Sequence, residues 1–569
     1  MKNSKLSVIA AVLSTVVLLT ACSGNGNSNT GGNTNTGKSS NEASSNSTTT
    51  NNSQQSVDID PFGKYDPPIT IDVAKASSAN MRFGDGEDIN NNVWQREYEE
   101  RLGIKLNYVF ASVFEGGAYD QKLNLSIASG DLPDIFQVNA QQLKQLVAAG
   151  QVEDLTEVFD QYTSEYTKSL YEDAGDSALL SATFEGKLYA IPALASSLDT
   201  APVMYVRKDW REKLGLPEPK TMQDVIAMAE AFTNGDPDGN GVKDTYGIAF
   251  TKDAVVGTGF ADLQGFMNGY HAYLNTWIED ASGNLVYGPI QPEVKQALQQ
   301  LQDLYKAGAI DREFATKDMT KVGEDLSKIG IQFGQMWNPI MPMQGSVLSN
   351  PGSDWEPFSI VSIDDKPALA SVVAPVVKYL VVRKGYEHPE AAIKINNLTY
   401  ENLQGPNADY EKFGTNLDGQ EGLHYTLMIA EPPLKNNTIY LKVNEALKTG
   451  DDSKLNSEMK ITLGDITAYN NGDMNKWAGA KIFGPDSSQA VLNQYQLDGR
   501  IMPNSFYGGA TDSMADKNAS LEKLMVEVFT KIIMGDSIDN FDKFVEDWKK
   551  LGGDTITQEV NEWRAGLKG

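Results

Sequence analysis

The chain of 569 residues carries 48 basic and 76 acidic side chains, a formal net charge of -28 and a single cysteine. Such an acidic balance excludes nucleic acid and anionic membrane surfaces as partners. A lone cysteine excludes a disulfide framework, so the fold must rest on core burial, with a bound metal as the other available support.

Residues 1–21 have the layout of a lipoprotein signal peptide. Lys2 and Lys5 form the positive end, and Leu6 to Leu19 is apolar apart from Ser and Thr. A bilayer span needs ~20 apolar residues, so this run reads as the core of an export signal and not as a membrane helix. Leu19-Thr20-Ala21-Cys22 then resembles a bacterial lipobox, where cleavage leaves the cysteine as a lipid-modified N-terminus. Cys22 is the expected lipidation site, and an ordinary secretory signal with an incidental cysteine is the alternative. Acyl chains such as palmitate contribute ~0.8 kcal/mol per buried CH2, so a multiply acylated cysteine would hold the chain on the membrane.

Residues 22–57 are Asn, Ser, Thr and Gly with almost no apolar side chain. They cannot bury enough surface to offset their ordering entropy, and read as a disordered tether. Such a tether suits a Gram-positive cell surface, and an adhesion stalk is the other use for it. The body, 58–569, is long enough for at least two domains.

Ile69–Val73 alternates as a first strand, and Phe83–Asp88 follows as a loop. Val93, Trp94, Tyr98 and Leu102 fall at helical spacing over 91–102. Ile104–Phe110 reads as a strand, 119–128 as a helix, Asp134–Val138 as a strand and 141–149 as a helix. Strand and helix alternate three times, the signature of an α/β fold with a mainly parallel sheet. Amphipathic helices are expected over 221–232 and over 292–308, with Val294, Leu298, Leu301 and Leu304 on one side of the latter. Ile331–Phe333 and Val377–Arg383 read as strands, and 389–398, 521–534 and 538–551 as helices. Between about 400 and 505 the pattern is weak and reads as helical and irregular.

One short loop stands out. Asp236, Asp238, Asn240 and Asp244 place oxygen side chains at positions one, three, five and nine, with Gly241 at six and the Val242 carbonyl available at seven. That spacing suits a hard cation such as Ca2+. The match to an EF-hand is incomplete. Gly247 stands where the bidentate Glu would be, and Tyr246–Phe250 reads as a strand. A structural Ca2+ site between a helix and a strand is the expectation, and a solvated Asp/Asn/Gly turn the alternative.

Several stretches, taken in order, resemble the family 1 extracellular solute-binding proteins. They are Ala128-Ser-Gly-Asp-Leu-Pro-Asp-Ile-Phe136, Lys187-Leu-Tyr-Ala-Ile-Pro192, Tyr205-Val-Arg-Lys-Asp-Trp-Arg-Glu-Lys-Leu-Gly-Leu-Pro217 and Gly330-Ile-Gln-Phe-Gly-Gln-Met-Trp337. Gly552 to Trp563 is similar to the C-terminal signature of the large lipoprotein branch from Bacillus and Paenibacillus. The resemblance covers about 65 to 565. It implies a type II, two-lobed periplasmic-binding-protein-like fold with hinge crossovers. The first part of the N-terminal lobe is expected over 58–190, the second lobe over 191–375, and hinge returns, remaining lobe segments and C-terminal helices over 376–569. The loop at Asp236–Asp244 also resembles the Ca2+ loop of alginate-binding relatives, except that Thr245 stands where those carry an acidic residue.

The resemblance further implies a monomer that captures an oligosaccharide or other glycan and delivers it to an ABC permease. Sugar sites use aromatic rings with a few convergent polar groups, at the carboxyl ends of strands. That rule selects Asp85 in the Phe83–Asp88 loop, Gln137 and Asn139 after the third strand, and Trp337 with Asn338. Trp277 and the pair Phe506 and Tyr507 are further candidates. Core packing is the competing reading for each aromatic, and is preferred for Trp94, Trp210, Trp548 and Trp563.

Catalytic motifs are weak. His271, His388 and His424 share no helical spacing that suits zinc. Ser457–Lys460 fits SxxK and Lys448–Gly450 fits KTG, but in reversed order and without SDN between them. Neither GxSxG nor a P-loop is present, and no catalytic residue is expected. Two placed carboxylates would suffice for a glycosidase, so a secreted polysaccharide-degrading enzyme is one alternative. A surface sensing or adhesion protein is the other.

Overall fold

The computed structural model describes residues 59–77, 81–113, 117–257, 259–406, 408–414 and 422–567. The signal peptide, Cys22 and the tether lie outside the described residues. The nine main strands in chain order are β1 (Ile69–Ser77), β2 (Ile104–Val113), β3 (Ile135–Val138), β4 (Ile191–Leu194), β5 (Val203–Arg207), β6 (Tyr246–Ile248), β7 (Ile329–Gly334), β8 (Trp355–Phe358) and β9 (Val376–Val382).

They form two sheets, one per lobe. The first has the order β2-β1-β3-β9-β4 and the second β8-β5-β7-β6. In the first, β1 runs parallel to β2 and β3, as the strand–helix alternation implies, while β9 is antiparallel to both β3 and β4. In the second only β6 and β7 are parallel, and β5 is antiparallel to β7 and β8. A mainly parallel sheet therefore describes the first three strands only. Of the two later strands, β4 precedes the first crossing and β9 returns from the other lobe to lie antiparallel between β3 and β4, and nothing in its own sequence marks that.

Burial explains the layers. Ile71 and Val73 of β1 join a core with Trp94, Tyr98 and the helix Glu390–Gln404 on one face. Ala74 and Phe136 join Tyr119, Leu123, Leu143 and Leu146 on the other. The helices Ala118–Ser129 and Ala140–Ala148 cover that second face. The second lobe has one larger core, which takes in Val294, Leu298, Leu301 and Leu304 as the spacing requires, together with the C-terminal helices from Asp512 onward. Trp94, Trp210 and Trp548 are buried.

Local signals set the ends. Thr221 and Asp224 form a reciprocal capping box on the helix Met222–Asn234, and Asn139 and Gln142 do the same for Ala140–Ala148. Asn92 caps a helix that begins at Val93 and widens into a π turn over Tyr98–Leu102. The stretch expected to be helical and irregular holds more regular helix than its weak pattern suggests. It holds Lys435–Thr449, Ser457–Asn470, Trp477–Phe483 and Ser488–Leu497 as helices. Their apolar stripes are interrupted by asparagines that are buried because they are bonded. Asn436 Nδ2 donates to Asp199 Oδ2 at 2.7 Å, and Asn444 Nδ2 to the Phe483 carbonyl at 2.8 Å.

The chain crosses between the sheets three times, after β4, before β9 and at Glu431–Leu434, and the crossings are bonded to one another. Ala195 N donates to Pro375 O (2.9 Å), Val373 N to Thr200 Oγ1 (3.2 Å) and Glu431 N to Leu194 O (2.9 Å). Asp199, buried in the first crossing, accepts from Asn436 and from Gln489 Nε2 at 2.8 Å. No helix among the described residues is long and apolar enough to cross a membrane.

Candidate functional site

The carboxyl ends of β6 and β7 lead into the loops Ala249–Gly257 and Gln335–Asn338, and these face the crossings. Together they enclose a pocket of about 260 Å3, whose walls include Thr200 and Val373 of the crossings, Gln264, Asn275, Gln335 and Asn504. Gly257 and Gly259 turn this loop at φ of 78° and 79°, values that residues with a Cβ adopt rarely. The loop is held from behind. Asp262 Oδ2 accepts from Gly259 N at 2.8 Å, and Asn338 Nδ2 donates to Gly259 O at 2.8 Å.

Farther from the crossings the lobes meet. Lys144, on the helix Ala140–Ala148, pairs with Asp512 at 2.8 Å, and Asp512 opens the 23-residue helix Asp512–Met534. A Cβ added at Gly509 would stand 3.2 Å from the Ala140 carbonyl oxygen. The segment from Asn504 to Asp512 thus runs from the pocket to the contact between lobes.

The acidic loop at Asp236–Asp244 lies elsewhere on the second lobe. Asn240 Nδ2 donates to Asp238 Oδ2 (2.7 Å) and Asp244 Oδ1 (3.2 Å), and Gly241 N to the Asp236 carboxylate (3.2 Å). Asp236, Gly239 and Gly241 all have positive φ, which bends the loop back on itself. The donor set is all oxygen, as a hard cation requires. Two features stand against a site already closed around an ion. Lys328 Nζ occupies Asp244 Oδ2 at 3.1 Å, and among the described residues no three carboxylate, His or Cys groups converge closely enough to hold a metal. The Asn240 hydrogen bond first, and Lys328 second, hold the Asp244 carboxyl below its ordinary range.

Residues 84–395 match the family model described as bacterial extracellular solute-binding protein. The chain belongs to this family. It is 25% identical over 458 residues to lipoprotein LipO of Bacillus subtilis, covering 78% of this chain and 84% of that protein. It is 23% identical over 446 residues to the polygalacturonan/rhamnogalacturonan-binding protein YtcQ of the same organism, covering 78% and 82%. Among solved structures, the Streptococcus pneumoniae substrate-binding protein FusA in complex with kestose superposes with a TM-score of 0.57 at 19% identity, over 88% of this chain and 100% of that one. An EF-hand mutant of FusA with fructo-nystose gives 0.55 at 19% identity, over 88% and 99%. The two-lobed type II fold is that of these structures, and this solute-binding protein is a binder and not an enzyme, as its family is.

The structure disperses the residues chosen from sequence. Trp337 is exposed (38%), two residues after the pocket residue Gln335 but not itself among the residues that line the pocket. Its neighbour Asn338 is buried, with Oδ1 accepting from Gln332 Nε2 at 3.0 Å and Nδ2 on Gly259 O, so its amide is fully engaged in shaping the loop. Gln137 is also buried, its Nε2 on Leu427 O at 2.6 Å and its Oε1 on Ala76 N at 3.2 Å. Asn139 caps the helix that follows it. Trp277 and Phe506 lie inside the second lobe, packed on Tyr287 and Trp563. Tyr507 stacks edge-on against Trp563 and is half-buried. Asp85 is exposed in its loop, near Phe83, which stacks on Tyr425. The pocket residues Gln264, Asn275, Gln335 and Asn504 were not selectable from sequence. The available signals were the two glycines at 257 and 259 and the position of Gln335 two residues before Trp337.

Proposed function

We propose that this protein is a lipid-anchored receptor on the outer face of the cell membrane, held by Cys22, that captures an oligosaccharide and delivers it to an ABC permease. The observation that carries the reading is the amide- and hydroxyl-lined pocket between the crossings and the carboxyl ends of the second-lobe strands. Sugar hydroxyls both donate and accept, and amides answer both. The names of FusA and YtcQ support a glycan as ligand. Trp337, exposed two residues after Gln335, offers a flat face to a sugar ring. Ligand contacts to both lobes exist only when the lobes are close, so binding shifts the hinge equilibrium by its differential affinity. The protein acts as a monomer.

The same reading puts Ca2+ in the loop, held by Asp236, Asp238, Asn240, Asp244 and the Val242 carbonyl, as a structural ion. The EF-hand named for FusA supports this, as does the all-oxygen donor set. One thermal-shift screen of glycans, with and without EDTA, tests both parts, because any ligand of the native state raises the melting temperature. A shift with at least one oligosaccharide, and a fall with EDTA restored by Ca2+, is the expected result. No shift across a broad glycan panel would count against the receptor, and indifference to EDTA against the ion.

A further inference from the structure

We infer that the hinge-side pocket takes an uncharged sugar unit and rejects a uronate, so that the protein selects neutral oligosaccharides over acidic ones. The inference rests on the receptor reading above and sharpens its ligand class. The formal charge of the chain does not carry it, since net charge is not site charge. The pocket itself does.

Among the described residues no ionic side chain lines it. Its polar groups are amides and hydroxyls whose unused capacity follows from the bonds they already make. Asn504 Oδ1 accepts from Trp277 N (3.0 Å) and Phe506 N (3.2 Å), which leaves its NH2 as a donor. Gln264 Nε2 donates to Ser371 O (2.7 Å) and Oγ (3.1 Å), which leaves its carbonyl oxygen as an acceptor. Asn275 Nδ2 donates to Val256 O at 2.8 Å, so its oxygen is likewise an acceptor. Gln335, over Gly259, can do either. A hydroxyl satisfies such a mixed set in both senses.

A carboxylate only accepts. The amides of Asn504 and Gln335 are the neutral donors open to it, while Gln264 Oε1 and Asn275 Oδ1 are acceptors that oppose it, and no cation among the described lining residues replaces its hydration. The ionisable group that orders the loop is Asp262, itself a carboxylate. Removing an ionised group from water without a partner is costly in any protein interior. The backbone N–H groups of Gly259 and Gln335 are no substitute, because Gly259 N is already on Asp262 and Gln335 N on Gly259 O at 2.7 Å.

The test is calorimetric titration of the full chain with tetrasaccharides of equal length. Neutral gluco-, galacto- and fructo-configured sugars are compared with tetragalacturonate at fixed ionic strength. At least one neutral sugar should bind, and the uronate should bind roughly 100-fold more weakly. Replacing the pocket amide by a cation, Gln335→Arg, should narrow or reverse that ratio, while the wild-type comparison needs no variant to fold. Equal or tighter binding of the uronate by the wild type overturns the inference and leaves the receptor standing. Failure of every sugar to bind overturns the receptor and the inference together.

Discussion

Two polar regions of the second lobe solve opposite problems. The hinge-side pocket is a part-open recess between crossings and loops, and its working groups are neutral amides already bonded to the protein on one side. The loop Asp236–Asp244 is exposed and carries three carboxylates that lean on one asparagine and one lysine. Charge stands where water or an ion can share it, and neutrality where the protein must replace water itself. The ligand classes we propose follow the same division, a hydroxyl-rich solute for the one and a hard cation for the other.

The contrast breaks first at Asn338. Asn338→Ala leaves the Gln332 Nε2 donor unsatisfied in a buried site and takes from the Gly259 carbonyl one of its two donors, Gln335 N remaining. A loss of about 1–3 kcal/mol in denaturant unfolding is expected, with weakened glycan binding as the loop loosens. A loss under about 0.5 kcal/mol would mean that the loop is held by other means.

Lys75 sharpens the contrast, because it puts an ionisable group in a neutral interior. It is fully buried on the first sheet, and Nζ donates to His424 O (2.6 Å) and Thr426 O (2.5 Å). Burial lowers its ammonium to about 7, and a neutral amine still has the two N–H groups that two carbonyls need. Above that pH the native amine has shed a proton that the unfolded lysine keeps up to about 10.5. The unfolded state then binds more protons, so stability from this group rises with pH through that window and its cost is complete below it. The stability of the wild type relative to Lys75→Met should grow by roughly 1 kcal/mol per pH unit above neutrality. A gap that is flat with pH would show that Lys75 keeps its charge in the fold.

The exposed loop should respond to ions and little else. Saturating Ca2+, at about 100 times its dissociation constant, should stabilise the protein by about 2.7 kcal/mol. Asp238→Asn should remove that gain yet change the Ca2+-free protein by less than about 0.5 kcal/mol. A gain that survives the substitution would place the ion elsewhere. The smallest effect is expected for Lys328→Met. Its pair with Asp244 is a surface pair worth at most about 1 kcal/mol, and its removal should tighten Ca2+ binding by uncovering Asp244. Weaker Ca2+ binding in this variant would contradict competition between the two cations.

Legibility in the sequence follows the same physics. The strands and helices of the first lobe could be read because each buries one regular face, as β1 does with Ile71 and Val73. The helices of 435–497 could not, because Asn436 and Asn444 are buried by distant partners, Asp199 and Phe483, that periodicity does not see. The grouping of the acidic loop's oxygen side chains was legible since they are neighbours in sequence. The pocket was not, since Thr200, Gln264, Gln335 and Asn504 are brought together from four separate segments. Residue type also misled at Asn338 and Gln137. Both are polar and lie close to strand ends, yet both are spent on backbone partners.

The central claim is that ligand draws two hinged lobes together around a neutral sugar. Small-angle X-ray scattering of the protein, with and without the neutral tetrasaccharide that binds best, tests it directly. A smaller radius of gyration with that sugar, and no change with tetragalacturonate at the same concentration, is the predicted result. Identical scattering with saturating neutral sugar, or contraction with the uronate alone, would contradict it.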